Sequence, residues 1–263
     1  MALGLSTVAR ADEAEKERGV PETTDAPALP QEVPAPVPDD AKQPKLVKQI
    51  GLDFKNLFTT KENLWIVSAG AGAALLARPV DNPIAHSGFN SETSDGSGLD
   101  PVFDPGGVAG GGLFQVGTAV ATFAVGKVSS DPGIESLGRD LVRAQIVTQS
   151  LTTALKYTVS RTRPDGSSTL SFPSGHTSGA FATATVLERH YGWKVGVPAY
   201  LFAGYVGASR INENKHYLSD VIFGATLGIL GGRTVTLGLG DKRFSLSPMI
   251  VPGGAGVQLT LLH

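Results

Sequence analysis

Three groups of chemistry-bearing residues follow one another within 65 residues of this chain. Lys156 is followed after six residues by Arg163-Pro164, then comes Pro173-Ser174-Gly175-His176, then Ser209-Arg210, five residues, His216, three residues and Asp220. Together they fix eleven positions, and at roughly 1 in 20 usage per position chance agreement is negligible. Cleaving a phosphate ester without a metal requires cations on the non-bridging oxygens, an in-line nucleophile and an acid for the leaving oxygen. These residues supply all three. His216 and Asp220 are four apart, so on a helix they share a face, and the carboxylate can accept from one ring nitrogen while the other is aimed at phosphorus. Attack would give a phosphohistidine intermediate. His176 is the candidate proton donor to the leaving oxygen and the later acceptor from water. Lys156, Arg163 and Arg210 are the candidate oxygen clamp. Ser174 sits where it would cap a helix beginning at Gly175, which turns backbone N–H groups toward an anion, and Gly175 lets that backbone approach closely.

On these residues the chain resembles the type 2 phosphatidic acid phosphatase superfamily, which also includes bacterial class A acid phosphatases and vanadium-dependent haloperoxidases. The resemblance is firm over Lys156 to Asp220. It implies an all-α helical bundle with Lys156, Arg163 and Arg210 as phosphate ligands, Ser174 and Gly175 as the phosphate-binding turn, His176 as general acid, His216 as nucleophile and Asp220 as its orienting carboxylate. The expected activity is hydrolysis of phosphate monoesters, lipid-linked or small and soluble, with no metal or other cofactor. Two other readings stay open: a haloperoxidase-like enzyme, in which the same cations hold vanadate, and a non-catalytic envelope binding protein that keeps the pocket. Vanadate is then either an inhibitor or a cofactor.

The elements that must position these side chains read as helices. Leu46 to Phe58 is weakly amphipathic, and Thr59 to Glu62 has capping-box spacing ahead of an apolar run, Leu64 to Ala77, that Pro79 is expected to stop. Residues 80 to 108, rich in Gly, Asp, Asn, Ser and Pro, read as a long loop. Further helices fit Gly112 to Gly126, about Asp131 to Ser160, Gly175 to His190, Val195 to Ser209 and Tyr217 to about Gly231. Phe244 to Val251 and Gly256 to Leu262 alternate like a hairpin about Pro-Gly-Gly. The resulting organisation is a signal-peptide remnant at 1–11, a disordered acidic Pro-rich tether at 12–46, a helical phosphatase domain at 47–240 and a C-terminal β-hairpin extension at 241–263.

Composition bounds the partners. The 263 residues carry a net charge of −2, but residues 12 to 40 hold nine acids and two bases, leaving a mild positive balance beyond them. That balance suits an anionic substrate and falls far short of a nucleic-acid-binding stripe. No cysteine is present, which rules out disulfides and thiolate metal sites. The small-x-small pattern Ala9-Arg10-Ala11 suggests a cleaved leader and hence a periplasmic or otherwise exported protein. The apolar runs, interrupted by Arg78 and Arg233, fall short of the roughly 20 residues a membrane span needs, which favours a soluble bundle with peripheral membrane contact over a membrane-embedded one. Ala- and Gly-rich helices suit both. His86, His190 and His263 read as ordinary surface or core residues, and Arg143 and Arg161 as surface charges bordering the pocket at most.

Overall fold

The computed structural model describes residues 45–87 and 99–237, together with the backbone of 243–251 and 254–262. The leader, almost all of the tether and His263 lie outside the described residues. Among the described residues eight helices follow in order: α1 (Leu46–Thr59), α2 (Lys61–Ala85), α3 (Asp100–Gly110), α4 (Gly112–Ser129), α5 (Pro132–Val159), α6 (Gly175–Tyr191), α7 (Trp193–Asn212) and α8 (Leu218–Val235). Strands β1 (Arg243–Val251) and β2 (Gly254–Leu262) form an antiparallel ladder pairing Arg243 with Leu262 and Val251 with Gly254. The expected all-α bundle is what the chain forms.

Helices α6 and α8 pack along one another, with α5 against both, α2 on α8, α7 on α6 and α4 on α5. The interior is built from small residues: Ala144, Val147, Ala182, Val186, Ala203 and Val206 are fully buried. On α8 a β-carbon at Gly224 would fall 2.6 Å from the carbonyl oxygen of Ser174, and one at Gly228 2.4 Å from that of Ser178. Glycine is therefore required where α8 meets the backbone of α6. This close approach brings the start of α8 beside the start of α6, and with it Asp220 beside Ser174.

Two sequence expectations are overturned. Pro79 does not stop α2, which continues through Pro79 and Pro83 to Ala85. A proline forfeits one hydrogen bond and crowds the preceding turn, a cost of about 3 kcal/mol, and here the packing of α2 along α8 and the anchoring of Asp81 described below outweigh it. The glycine-rich part of the presumed loop is also helical. Residues 100–110 form α3, begun by Pro101 in the first turn, because Gly106 and Gly110 lie against α7 and α6 where side chains would collide with Ser209 and Val206.

Arg143 is no surface charge either. It grips Asp53 of α1 through two hydrogen bonds (2.8 and 2.5 Å) and Asp140 of its own helix (2.7 Å), while His190 bonds the other Asp140 oxygen at 3.0 Å. This buried cluster fastens α1 to the bundle.

Large apolar side chains nonetheless remain exposed along several helices. They include Leu64, Trp65, Leu75 and Leu76 on α2, Leu113, Val120 and Val128 on α4, and Trp193, Leu201 and Phe202 on α7. Among the described residues α8 alone is a single helix long and apolar enough to cross a membrane, and two thirds of it is buried in the bundle; α3 and α4, bent by 53°, pass the same test together.

Candidate active site

The site lies where the C-terminal end of α5, the 160–174 connection, the start of α6, the end of α7 and the 213–217 connection meet. Ser174 caps α6 as expected: its Oγ accepts from the Thr177 backbone N–H (3.4 Å) and the Thr177 hydroxyl (2.9 Å). Its own N–H donates to the carbonyl of Asp220 at 3.0 Å. The first turn of α6 therefore points its free N–H groups into the site with His176 beside them. Gly175 is less constrained by the protein than its neighbours, because a β-carbon there would find only ordinary contacts, the nearest at 3.7 Å to the Gln149 and Lys156 side chains. Nothing in the packing of the protein demands glycine at this position.

His216 is not on a helix. Helix α8 starts at Leu218, and Asp220 spends one oxygen on the Tyr217 backbone N–H (3.0 Å), which fixes the helix start after the histidine. The imidazole is held by its backbone instead, through a 3.2 Å bond from its N–H to the Arg210 carbonyl. It is buried, with 3% of its surface exposed. Its Nδ1 stands 3.7 Å from Asp220 Oδ2. That distance is a close ion-pair approach and too long for a hydrogen bond. The Asp220 carboxylate, itself fully buried, is already engaged: Oδ2 accepts from Ser171 Oγ at 2.5 Å and Oδ1 from Arg161 at 2.6 Å.

The three cations converge on the two imidazoles. The charges of Arg210, Arg163 and Lys156, and the His216 ring, all act on His176. Lys156 and Arg163 likewise act on His216. Lys156 donates to the Leu170 carbonyl (2.6 Å) and Arg210 is countered by Glu213. Among the described residues neither Lys156 nor Arg163 pairs with a carboxylate, and Nε of both Arg163 and Arg210 is buried without a hydrogen-bond partner. The contrast is with Arg143 and Arg161, each of which is shared between two carboxylates. Unpaired buried donors of one sign around a pocket are arranged for an anion.

Neighbouring connections are tied together by Asp165, which accepts from Lys215 at 2.5 Å and from the Ser167 hydroxyl and N–H. Burial pushes the Asp165 carboxyl up, but Lys215 and the Ser167 bonds hold it down at about 2. For His216, burial is the largest influence and pushes the imidazole down to about 4; the Asp220 side chain opposes this and the positive charges of Lys156 and Arg163 reinforce it. The ring is therefore neutral at physiological pH, with a lone pair available for attack.

Sequence reasoning found every residue of this cluster but missed its support. Ser171, Ser219, Arg161 and Asp81 join Asp220 in one hydrogen-bonded network. Arg161 stood between Lys156 and Arg163 in the sequence, and Asp81 was an acid flanked by two prolines in an apolar stretch; either oddity could have drawn notice.

An all-helical bundle that gathers three cations, two imidazoles and a backing carboxylate from the ends of its central helices is the arrangement that the motif spacing implied. Residues 138–243 match the PAP2 superfamily. Over 80 residues, 29% of this chain and 18% of the relative, it is 48% identical to the lipid A 1-phosphatase of Porphyromonas gingivalis. Over 122 residues, 42% of this chain and 62% of the relative, it is 29% identical to the lipid A 4'-phosphatase of Helicobacter pylori. The chain thus spans less than two thirds of the length of either curated relative. Among solved structures, Aquifex aeolicus LpxE aligns with a TM-score of 0.44 at 27% identity, covering 53% of this chain and 86% of that one. The first transmembrane PAP2 type phosphatidylglycerolphosphate phosphatase from Bacillus subtilis aligns with a TM-score of 0.46 at 22% identity, covering 76% and 99%.

Proposed function

We propose that this chain is a phosphatase that transfers the phosphoryl group of a lipid-linked phosphate monoester to His216 and then to water. The observation that carries the reading is the set of buried and half-buried, incompletely paired cations surrounding a neutral imidazole that has a carboxylate behind it. Lys156, Arg163, Arg210 and the N-terminal turn of α6 hold the non-bridging oxygens. His216 Nε2 attacks phosphorus in line as the ester P–O bond breaks, and His176 gives its proton to the leaving oxygen. Burial, reinforced by the positive charges of Arg210, Arg163 and Lys156, disfavours the protonated form of His176 until the anionic ester offsets those charges, so the acid forms when substrate binds. Asp220 stabilises the positive charge that the ring of His216 acquires. Water, deprotonated by His176, then attacks the phosphohistidine and releases phosphate.

The lipid part of the reading rests on the exposed apolar faces of α2, α4 and α7, which suit the acyl region of a bilayer. These helices span about 37, 27 and 30 Å at 1.5 Å per residue, against a hydrocarbon thickness of about 30 Å. The relatives named as lipid A phosphatases point the same way. We place the site at the exported face of the membrane, consistent with the leader-like pattern of residues 9–11. Because the protein's own cations supply the positive field, turnover needs no metal.

The test is phosphate release from lipid phosphates, lipid pyrophosphates and soluble monoesters with a chelator present. Lipid monoesters are expected to be the preferred substrates, and the chelator to have no effect. His216→Ala is expected to lower kcat by at least about a thousandfold while phosphate binding persists. Hydrolysis that survives in His216→Ala would overturn the assignment.

A further inference from the structure

The carboxylate behind His216 is not held by the motif residues alone. Asp81 is buried on α2, with 2% of its surface exposed, more than seventy residues before the first motif residue. Its Oδ1 accepts from the backbone N–H of Ser219 at 2.9 Å, and its Oδ2 accepts from Ser219 Oγ (2.5 Å) and from Arg161 Nη2 (2.8 Å). The same guanidinium turns Nη1 to Asp220 Oδ1 (2.6 Å) and to Ser219 Oγ (2.7 Å), and lies over the Tyr217 ring with its carbon 3.8 Å from the centroid. One arginine is therefore clamped in a plane between two buried carboxylates, and residues 217, 219 and 220 are all fixed by the clamp.

We propose that Asp81 and Arg161 are positioning residues of this site, a buried pair that orients the Asp220 carboxylate and sets the net charge it presents to His216. The inference rests on the phosphatase reading for the role of His216, and goes beyond it in making α2 part of the machinery. Arg161 alone would neutralise Asp220 and leave the imidazole facing a neutral pair. Asp81 returns the cluster to one net negative charge, which is what a ring becoming positive on phosphorylation requires. A guanidinium held by Asp81 at one nitrogen and shared between Ser219 and Asp220 at the other also directs Oδ1 of Asp220, which the 3.7 Å approach to Nδ1 cannot do by itself.

The two members act on His216 with opposite sign. Its surroundings are Asp220 on α8, Lys156 on α5, Arg163 in the 160–174 connection, His176 on α6 and, one step behind, Arg161 and Asp81. Asp81→Asn removes a negative charge while keeping the shape and an acceptor oxygen, so protonation of His216 becomes harder and its titration midpoint moves down. Arg161→Gln removes a positive charge, and the midpoint moves up. Arg161→Lys keeps the charge without the fork, so the midpoint stays near that of the wild type. A purely structural role predicts no such pairing of signs.

The experiment is a histidine-selective nitrogen NMR titration of full-length protein in detergent for the wild type and these three variants, with phosphate release measured on the same samples. Opposite displacements for Asp81→Asn and Arg161→Gln are expected, together with a loss in kcat of about tenfold to a hundredfold in each, the scale seen for outer partners of a ligating imidazole, and little change in KM. Midpoints that do not move, or that move in the same direction, would overturn the proposal. If one variant does not fold, the sign given by the other decides. Displacements as expected in a protein that releases no phosphate would leave this proposal standing and count against the phosphatase reading.

Discussion

His216 joins two properties that usually conflict, complete burial and a polar task. Burial with cations nearby keeps the ring unprotonated down to about pH 4, and Asp220 limits the fall. Protonation removes the lone pair that attacks, so the acid limb of kcat/KM is expected near the free-enzyme value of His216, about 4, with a fall of about tenfold per pH unit below it. A pH profile whose acid limb lay near 6.5, the ordinary histidine value, would show that the ring is not held as described. The same shift has a stability consequence. The unfolded chain binds this proton at about 6.5 and the folded one only at about 4, so stability is fully present above the first value and is lost as pH falls toward the second. The types and spacing of these residues were legible in the sequence because a one-dimensional motif records them. The link between Asp81 and Arg161 was not, because a hydrogen bond between residues 80 apart along the chain leaves no local pattern.

Among the elements, α8 shows how small residues set geometry. With a β-carbon at Gly224 only 2.6 Å from a backbone oxygen of α6, no side-chain adjustment relieves the clash. Gly224→Ala is expected to destabilise the protein by about 1–3 kcal/mol and to lower activity by shifting Ser174 away from Asp220. Gly51 of α1 has nothing within 4 Å, and Gly51→Ala should stabilise by about 0.5–1 kcal/mol. Thermal unfolding of the two variants checks both signs, and a destabilised Gly51→Ala would contradict the open packing there. The long helices were readable from apolar runs and caps. Asp131 caps α5 through the N–H groups of Gly133 and Ile134, and Pro132 follows it as the first helical residue. Helix α3 and the end of α2 beyond Pro79 were not readable, since glycine and proline weaken local propensity and only tertiary contact with α7, α6 and α8 restores the helical state. His190 looked like the incidental end of a helix, but its bond to Asp140 places it in the cluster that anchors α1.

At the scale of the whole molecule, apolar surface decides where the chain resides. Counting uninterrupted apolar residues favoured a soluble bundle, because Arg78 and Arg233 cut the runs short. In three dimensions the exposed apolar residues of α2, α4 and α7 escape such a count, since they share their helices with small and polar residues that face inward. The protein is expected in the membrane fraction, resisting extraction by high salt and alkaline carbonate and released by detergent. Release by salt alone would contradict the lipid-facing assignment. Val120→Arg, which puts a charge on an exposed position of α4, should reduce membrane recovery without touching the site.

Helix α3 meets the reactive cluster through positions that have no side chain. A β-carbon at Gly107 would fall 2.7 Å from the Arg210 guanidinium, and one at Gly110 3.0 Å from the β-carbon of His176. Bare peptide thus borders both groups on that flank, and on the proposed reading an added methyl group at Gly107 would press on a guanidinium that holds phosphate, and one at Gly110 on the proton donor. The seating of this short helix, whose far end turns through 53° into α4, therefore sets how closely backbone approaches both groups.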